Sequence, residues 1–167
     1  MDWALGMWLW ALVFVQYHSH GCLGYLDKER TSLLEIKASI NYLNGSSLPT
    51  WEDGTDCCSW ERIKCNNATG RVTKISLNRT RERELGEWYL NAYLLLSFGE
   101  LRSLDLSRNY LAGWVDHEGF NRLSRLSNLE HLDLSDNSFN ETILPYLGAL
   151  SSLKSLSLRG YHIGLPF

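Results

Sequence analysis

Leucines recur in this chain at a spacing that an ordinary mixed core does not impose, and that recurrence limits the fold more than any other feature. The pattern L-x-x-L-x-L-x-x-N is complete twice, at Leu101, Leu104, Leu106, Asn109, Leu111 and Gly113, and at Leu129, Leu132, Leu134, Asn137 and Phe139. A degenerate copy precedes them at Val72, Ile75 and Leu77, with Thr80 at the asparagine position. Another follows at Leu153, Leu156 and Leu158, with Tyr161 in place of asparagine and then Ile163. The copies begin 29, 28 and 24 residues apart, within the range of self-similarity that marks a stack of coils. Each coil of such a stack buries its apolar edge only against its neighbours, so one unit alone would not fold. Leucine supplies 31 of the 167 residues, which follows from repeating one packing unit.

Strand alternation explains the spacing. In Leu104-Asp105-Leu106 the period of two sends both leucines into the stack and Asp105 outward. Asn109 and Asn137 fall at the turn leaving the strand, where a short amide can satisfy backbone groups otherwise buried unpaired. Thr80 and Tyr161 cannot do this as well, so the first and last repeats are expected to be less regular. Leu95-Phe98, Leu123-Leu126 and Leu147-Leu150 run at three-residue steps into the later strands and predict a helical turn on the far side of each coil. The fold class is an α/β repeat solenoid.

The N-terminal part reads differently. From Trp3 to Tyr17 an apolar run of 15 residues is interrupted only by Gly6 and Gln16. As a helix it would reach about 22 Å, short of a hydrocarbon core of roughly 30 Å, so it fits a secretory leader cut after Gly21. Asp2 stands where basic residues are usual, and no later run is apolar enough for a membrane span. Cys22, Cys57, Cys58 and Cys65 all follow the cut, an even number that in a secreted chain implies disulfides. Adjacent Cys57 and Cys58 bridge each other only with strain, which leaves two ways of joining them to Cys22 and Cys65. Asn44, Asn67, Asn78 and Asn140 begin Asn-x-Ser/Thr sequons. Asp27 is placed to cap a helix whose apolar residues Leu33, Ile36, Ile40 and Leu43 recur at helical spacing, with Asn44-Gly45 ending it. Between Ser46 and Cys65 periodicity gives way to Trp51, Trp60 and the cysteines. The formal net charge of −3 provides no basic field for nucleic acid.

Cys22, Glu29-Arg30, Leu33-Leu34, Lys37, Trp51, Asp56-Cys57-Cys58-Ser59-Trp60, Ile63, Cys65 and Thr69-Gly70-Arg71-Val72 together resemble the plant-type N-terminal cap of leucine-rich-repeat proteins. With the repeats behind it, the chain resembles the N-terminal end of a plant receptor-like protein, the kinase-less cell-surface class. The resemblance implies a leucine-rich-repeat solenoid with a disulfide-stapled helical cap. It divides the chain into a signal peptide (1–21), the cap (22–71) and four repeats (72–167). It also implies the pairing of Cys22 with Cys57 and of Cys58 with Cys65. Members of the class carry further repeats, a closing cap, a transmembrane helix and a short tail. This array ends at Leu165-Pro166-Phe167 inside a repeat, and is read as truncated. The family's Leu-x-Gly-x-Ile-Pro turn is altered here: Leu111 to Val115 lacks proline, and Phe139 to Pro145 has it displaced by one. Those departures weigh against a regular second sheet.

Residues facing outward from the strands form three columns: Lys74, Ser103, His131 and Ser155; Ser76, Asp105, Asp133 and Ser157; Asn78, Ser107, Ser135 and Arg159. In the family this concave face is a common ligand surface, so Lys74, Ser76, Ser103, Asp105, Ser107, His131, Asp133 and Ser135 are the candidate binding residues. Asp105 and Asp133 on neighbouring strands would bring their Cβ atoms to roughly 5 Å, near the separation of a retaining glycosidase pair. Asp-Leu-Ser is ordinary repeat sequence, however, and open coils enclose no substrate, so no catalytic residue is assigned. No cofactor or metal is expected, since no phosphate loop, G-x-S-x-G or H-E-x-x-H is present and the histidines share no ligand spacing. Trp88 and Trp114 are read as packing or surface aromatics, and the mixed run Arg81, Glu82, Arg83, Glu84 as a solvated loop. The resemblance implies extracellular recognition of a peptide or protein, in defence or developmental signalling, with a partner receptor kinase. It places the chain in the secretory pathway, at the cell surface. The alternative is a secreted inhibitor of pathogen wall-degrading enzymes, similar to the polygalacturonase-inhibiting proteins.

Overall fold

The computed structural model describes residues 25–115, 119–139 and 150–160. Helix α1, Tyr25–Ile40, presents Leu33, Ile36 and Ile40 to the core, where each is at most 1% exposed. It begins two residues before Asp27, which lies in the first turn and pairs with Arg30 instead of capping. Leu43 falls beyond the helix end and is exposed, because the chain turns away through Asn44, whose φ of 76° is left-handed.

The segment after α1 is held by aromatic stacking and one bridge. Trp51 and Trp60 stack with centroids 5.4 Å apart, and both indoles find acceptors, the Glu61 carbonyl and Thr55 Oγ1. A 3-10 turn, Cys57–Ser59, opens with the Asp56 carboxylate accepting the Cys58 N–H. Cys58 and Cys65 form a disulfide with Cα atoms 5.6 Å apart. Cys57 is buried, and the expected partner Cys22 lies outside the described residues, as do the expected leader segment and cleavage point.

Strand β1, Ile63–Cys65, runs antiparallel to β2, Val72–Ser76, with Ile63 opposite Ile75. Nothing in the periodicity signalled β1, a strand of three residues. From β2 onward the sheet is parallel: β2 pairs with β4, Ser103–Asp105, then β6, His131–Asp133, then β7, Ser155–Ser157. Ile75, Leu104 and Leu132 stand in one buried row across that register. The far side carries a 3-10 helix, Ala92–Ser97, and a short α-helix, Gly119–Leu123. The helical turns expected at Leu95-Phe98 and Leu123-Leu126 are thus present, with all four residues buried, and the one at Leu147-Leu150 falls largely outside the described residues.

A second sheet forms where the altered turn weighed against a regular one, though with a register shift between Trp88 and Tyr89, and the Phe139 to Pro145 turn lies largely outside the described residues. β3, Trp88–Leu90, pairs in parallel with β5, Leu111–Trp114, and the Val115 N–H extends the ladder to the Leu90 carbonyl. Proline is not needed for this pairing. Buried Trp88 fixes β3 by donating its indole N–H to the Asn109 carbonyl, and Gly113 leaves room for the Tyr89 ring, which a Cβ would approach to 3.3 Å.

The asparagine positions join coil to coil. Asn109 Oδ1 accepts the N–H groups of Thr80 and Arg81, while its Nδ2 donates to the carbonyls of Leu77, Leu106 and Ser107. Asn137 Oδ1 accepts the N–H groups of Asn109 and Leu111, and its Nδ2 donates to Leu106 and Leu134. Thr80 only returns its hydroxyl to the Leu77 carbonyl, the weaker substitute its chemistry allows.

Two charged groups bind the helix to the repeats. Glu29 is fully buried and accepts from the Val72 N–H and from Arg71 Nε. Burial raises its carboxyl above the ordinary glutamate range, opposed by the Val72 N–H and by Arg71. At the other end of α1, Arg81 donates to the Ile40 carbonyl at 2.6 Å and to the Leu85 and Gly86 carbonyls at 2.6 and 2.7 Å. Arg81 is therefore not a solvated loop residue: it is 5% exposed, with its guanidinium at a helix C-terminus where the aligned carbonyls favour a cation. Desolvation lowers its pKa, yet an arginine so deep in carbonyls remains a cation.

Replacing Asn109 by alanine strands several buried backbone groups at once and is expected to cost about 3 kcal/mol in urea unfolding, against about 1 for Thr80→Ala. A loss for Asn109→Ala no larger than for Thr80→Ala would remove the ladder from this account. The raised carboxyl of Glu29 makes a second prediction. The folded state retains the proton longer, so the stability that proton supplies is full below the unfolded value and declines as pH rises through the folded one. Melting curves from mildly acidic to neutral pH should show the wild-type chain losing stability relative to Glu29→Gln as pH rises. A wild-type chain that gains stability relative to Glu29→Gln as pH rises would reverse the assignment.

Candidate functional site: the concave sheet

The parallel sheet puts the outward residues in register without help from side chains. Lys74 stands opposite Ser103, Ser103 opposite His131, and His131 opposite Ser155. In the next column Ser76 faces Asp105, Asp105 faces Asp133, and Asp133 faces Ser157. Lys74, His131 and Ser155 are exposed, and Ser76, Ser103, Asp105, Asp133, Ser135 and Ser157 are half-buried. Lys74, Ser103, Asp105, His131, Asp133, Ser155 and Ser157 line one shallow cavity of about 220 Å³.

The two aspartates are bound up in their own turns. Asp105 Oδ1 accepts the Ser107 N–H at 3.0 Å and its hydroxyl at 2.7 Å, and Asp133 Oδ1 accepts the same two groups of Ser135. Each carboxylate closes the strand end with a local turn of the kind aspartate favours. Ser107 is 2% exposed, and its hydroxyl also takes a bond from Asn78 Nδ2. Asn78, Ser107 and Asp105 thus form a hydrogen-bonded chain across two strands. Ser107 is accordingly a buried linker and not an open contact residue, while Lys74 and His131 offer charge and hydrogen bonding to solvent.

Beyond the three columns lies a fourth, which the sequence reading did not extend to. Arg79, Arg108 and Asp136 follow the third column by one residue and all have left-handed φ, at 50°, 58° and 53°. Gly160 holds the same position with φ 73°, and a Cβ there would meet Asp136 Oδ1. Arg108 Nε pairs with Asp136 Oδ2 at 3.0 Å. Aligning the repeats one residue further would have exposed this column, since Arg79, Arg108 and Asp136 share its place in the repeat. The cap sequons are more accessible than Asn78: Asn44 and Asn67 are exposed, Asn78 is half-buried, and Asn140 lies outside the described residues.

This geometry defines a class: a solenoid of parallel coils with a stapled cap, presenting a polar concave sheet. Residues 26–66 match the family described as Leucine rich repeat N-terminal domain, and residues 100–124 and 128–150 match Leucine Rich Repeat. The chain belongs to the leucine-rich-repeat family. It is similar to receptor-like protein 56 of Arabidopsis thaliana, 43% identical over 150 residues that cover 85% of this chain and 16% of that one. Similarity to receptor-like protein 14 of the same plant is 42% over 166 residues, 93% of this chain and 17% of the relative. The chain spans about a sixth of the length of these curated relatives. Among solved structures it is similar to the BIR2 ectodomain from Arabidopsis thaliana, with 28% identity, a TM-score of 0.60, and coverage of 81% of this chain and 68% of that one. The leucine-rich-repeat ectodomain of the Arabidopsis receptor kinase HAESA, solved with a peptide hormone ligand, superposes with a TM-score of 0.61 at 25% identity, over 84% of this chain and 22% of that one.

Proposed function

We propose that this chain is the cap and first repeats of an extracellular plant receptor-like protein that recognises a peptide or protein on its concave sheet. The observation that carries the reading is the in-register run of outward polar side chains over one shared cavity, with Lys74 and His131 at its open edge. Similarity to receptor-like proteins and to a peptide-bound receptor ectodomain supports it. Signalling, in defence or development, then passes to a partner receptor kinase, and the chain acts by binding without catalysing a reaction. Both aspartates that could have formed a catalytic pair are engaged in turns, which agrees with that. No described helix is long and apolar enough to cross a membrane.

Peptides selected from a display library on the immobilised, folded chain provide the test. Their affinity is expected to fall by about tenfold or more with Lys74→Ala or His131→Ala and to be unchanged by Arg125→Ala, an exposed control away from the concave sheet. Equal effects at all three positions would overturn the reading. Passage through the secretory pathway has its own measurement. Peptide mass spectrometry of protein secreted from plant cells should find an N-terminus at or near Cys22, a Cys22–Cys57 bridge, and glycans on exposed Asn44 and Asn67. Occupancy at Asn78 is expected to be lower, because its Nδ2 is the atom already given to Ser107. An intact Met1 would overturn the secretory assignment.

A further inference from the structure

A charged hollow lies beside the concave sheet, at the turns that leave it. Arg79, Arg81, Arg83, Arg108, Tyr110 and Asp136 enclose about 590 Å³ there, four arginines against one aspartate in a chain whose net charge is −3. Each charge has a traceable status. Arg81 is committed to backbone carbonyls, and Arg108 to Asp136. Arg79 and Arg83 are exposed, with no carboxylate partner among the described residues. Glu82, the acid between Arg81 and Arg83, turns away and accepts both the N–H and the hydroxyl of Ser46. Left-handed backbone at Arg79, Arg108 and Tyr110 gives the turns the shape that places these side chains around one space.

We infer that the hollow walled by Arg79, Arg83, Arg108 and Tyr110 is a subsite for a single oxyanion on an extracellular peptide, a carboxylate or a sulfate ester. The inference rests on the concave-sheet reading for the course of the rest of the peptide. Guanidinium forks match oxyanions in two-point hydrogen bonds, and a one-sign hollow concentrates the anion before contact. A polyanion is disfavoured by what lies next to it. Arg108 and Asp136 also border a neighbouring cavity of about 440 Å³ that sets Asp133 beside Arg159, and the concave cavity beyond sets Asp105 and Asp133 beside Lys74 and His131. A ligand that continues along the sheet therefore leaves a one-sign hollow for a surface of mixed charge and hydroxyls. One negative end followed by residues of little net charge fits; a chain of negative charges meets Asp133 and Asp105 with no one-sign basic surface to offset them.

Nitrogen-15 spectra of the arginine Nε–H groups of the folded chain report on the hollow directly. The probes are three glycine-serine-lysine hexapeptides, ending in an amidated glutamate, an amidated sulfotyrosine or an amidated glutamine. Saturable shifts at Arg79, Arg83 and Arg108 are expected with the two anionic peptides, and the stronger of the two names the source of the oxyanion. The glutamine peptide should bind about tenfold more weakly or worse. Arg79→Gln with Arg83→Gln should produce a similar loss, while Asp136→Asn, which frees Arg108, should tighten binding. Arginine signals that stay silent, or that respond equally to all three peptides, would overturn the subsite. Tighter binding of polygalacturonate than of either anionic peptide would overturn it as well. If the backbone amide signals of Lys74 and His131, recorded in the same titration, respond while the arginines do not, the subsite fails and concave recognition stands; the opposite pattern retains the subsite and removes concave recognition.

Discussion

The attachment of α1 to the first strand is the constraint on which the rest of the molecule depends. A parallel stack has to start somewhere, and its first strand would otherwise offer an unpaired edge and one open apolar layer. The edge is met by β1, which pairs antiparallel with β2, and the layer by Leu33, Ile36 and Ile40 of α1. What holds that helix in place is charge. Glu29 takes the Val72 N–H directly, and Arg71 both balances the carboxylate and reaches the Ser97 carbonyl. Ten residues on, Arg81 closes the other end of α1. Buried charges are costly when unpaired, so these contacts fix the helix in one position and not merely against a greasy surface.

The same logic separates the functions of polar groups on the concave side. Asp105 and Asp133 look like chemistry in the sequence and are turn closures in the structure, their Oδ1 atoms saturated by Ser107 and Ser135. Lys74 and His131 carry no such duty and face solvent. The turns leaving the sheet gather arginines where the sheet itself mixes Lys74 and His131 with Asp105 and Asp133, so the charge of the surface changes across the strands.

The repeats were legible in the sequence because their cause is local: alternation within a strand fixes which residues are buried, and Ile75, Leu77, Leu104 and Leu106 all sit in the core as alternation requires. The columns followed from the same periodicity. Arg81 was not legible, since its placement depends on a helix end 41 residues earlier in the chain. The pairing in the second sheet was not legible for a related reason: the proline-containing turn is one way to leave a strand, whereas β3 and β5 are aligned, with a register shift, by the Trp88 indole on the Asn109 carbonyl and by the absence of a side chain at Gly113. β1 lies in the irregular, cysteine-bearing segment, where three residues carry no periodic signal. The basic hollow went unseen because its members come from three repeats and a loop, joined only by folding.

The asparagine ladder points one way. Asn109 serves Thr80, Arg81 and Leu77, and Asn137 serves Asn109, Leu111 and Leu106, so each amide reaches back to the coil before its own. The first coil is only a recipient, and so threonine suffices there. Heredity of repeats is constrained accordingly: when such an array lengthens by duplication, a new coil must arrive with the asparagine that its predecessor needs, and the fitness of a coil is written partly in the sequence of the next.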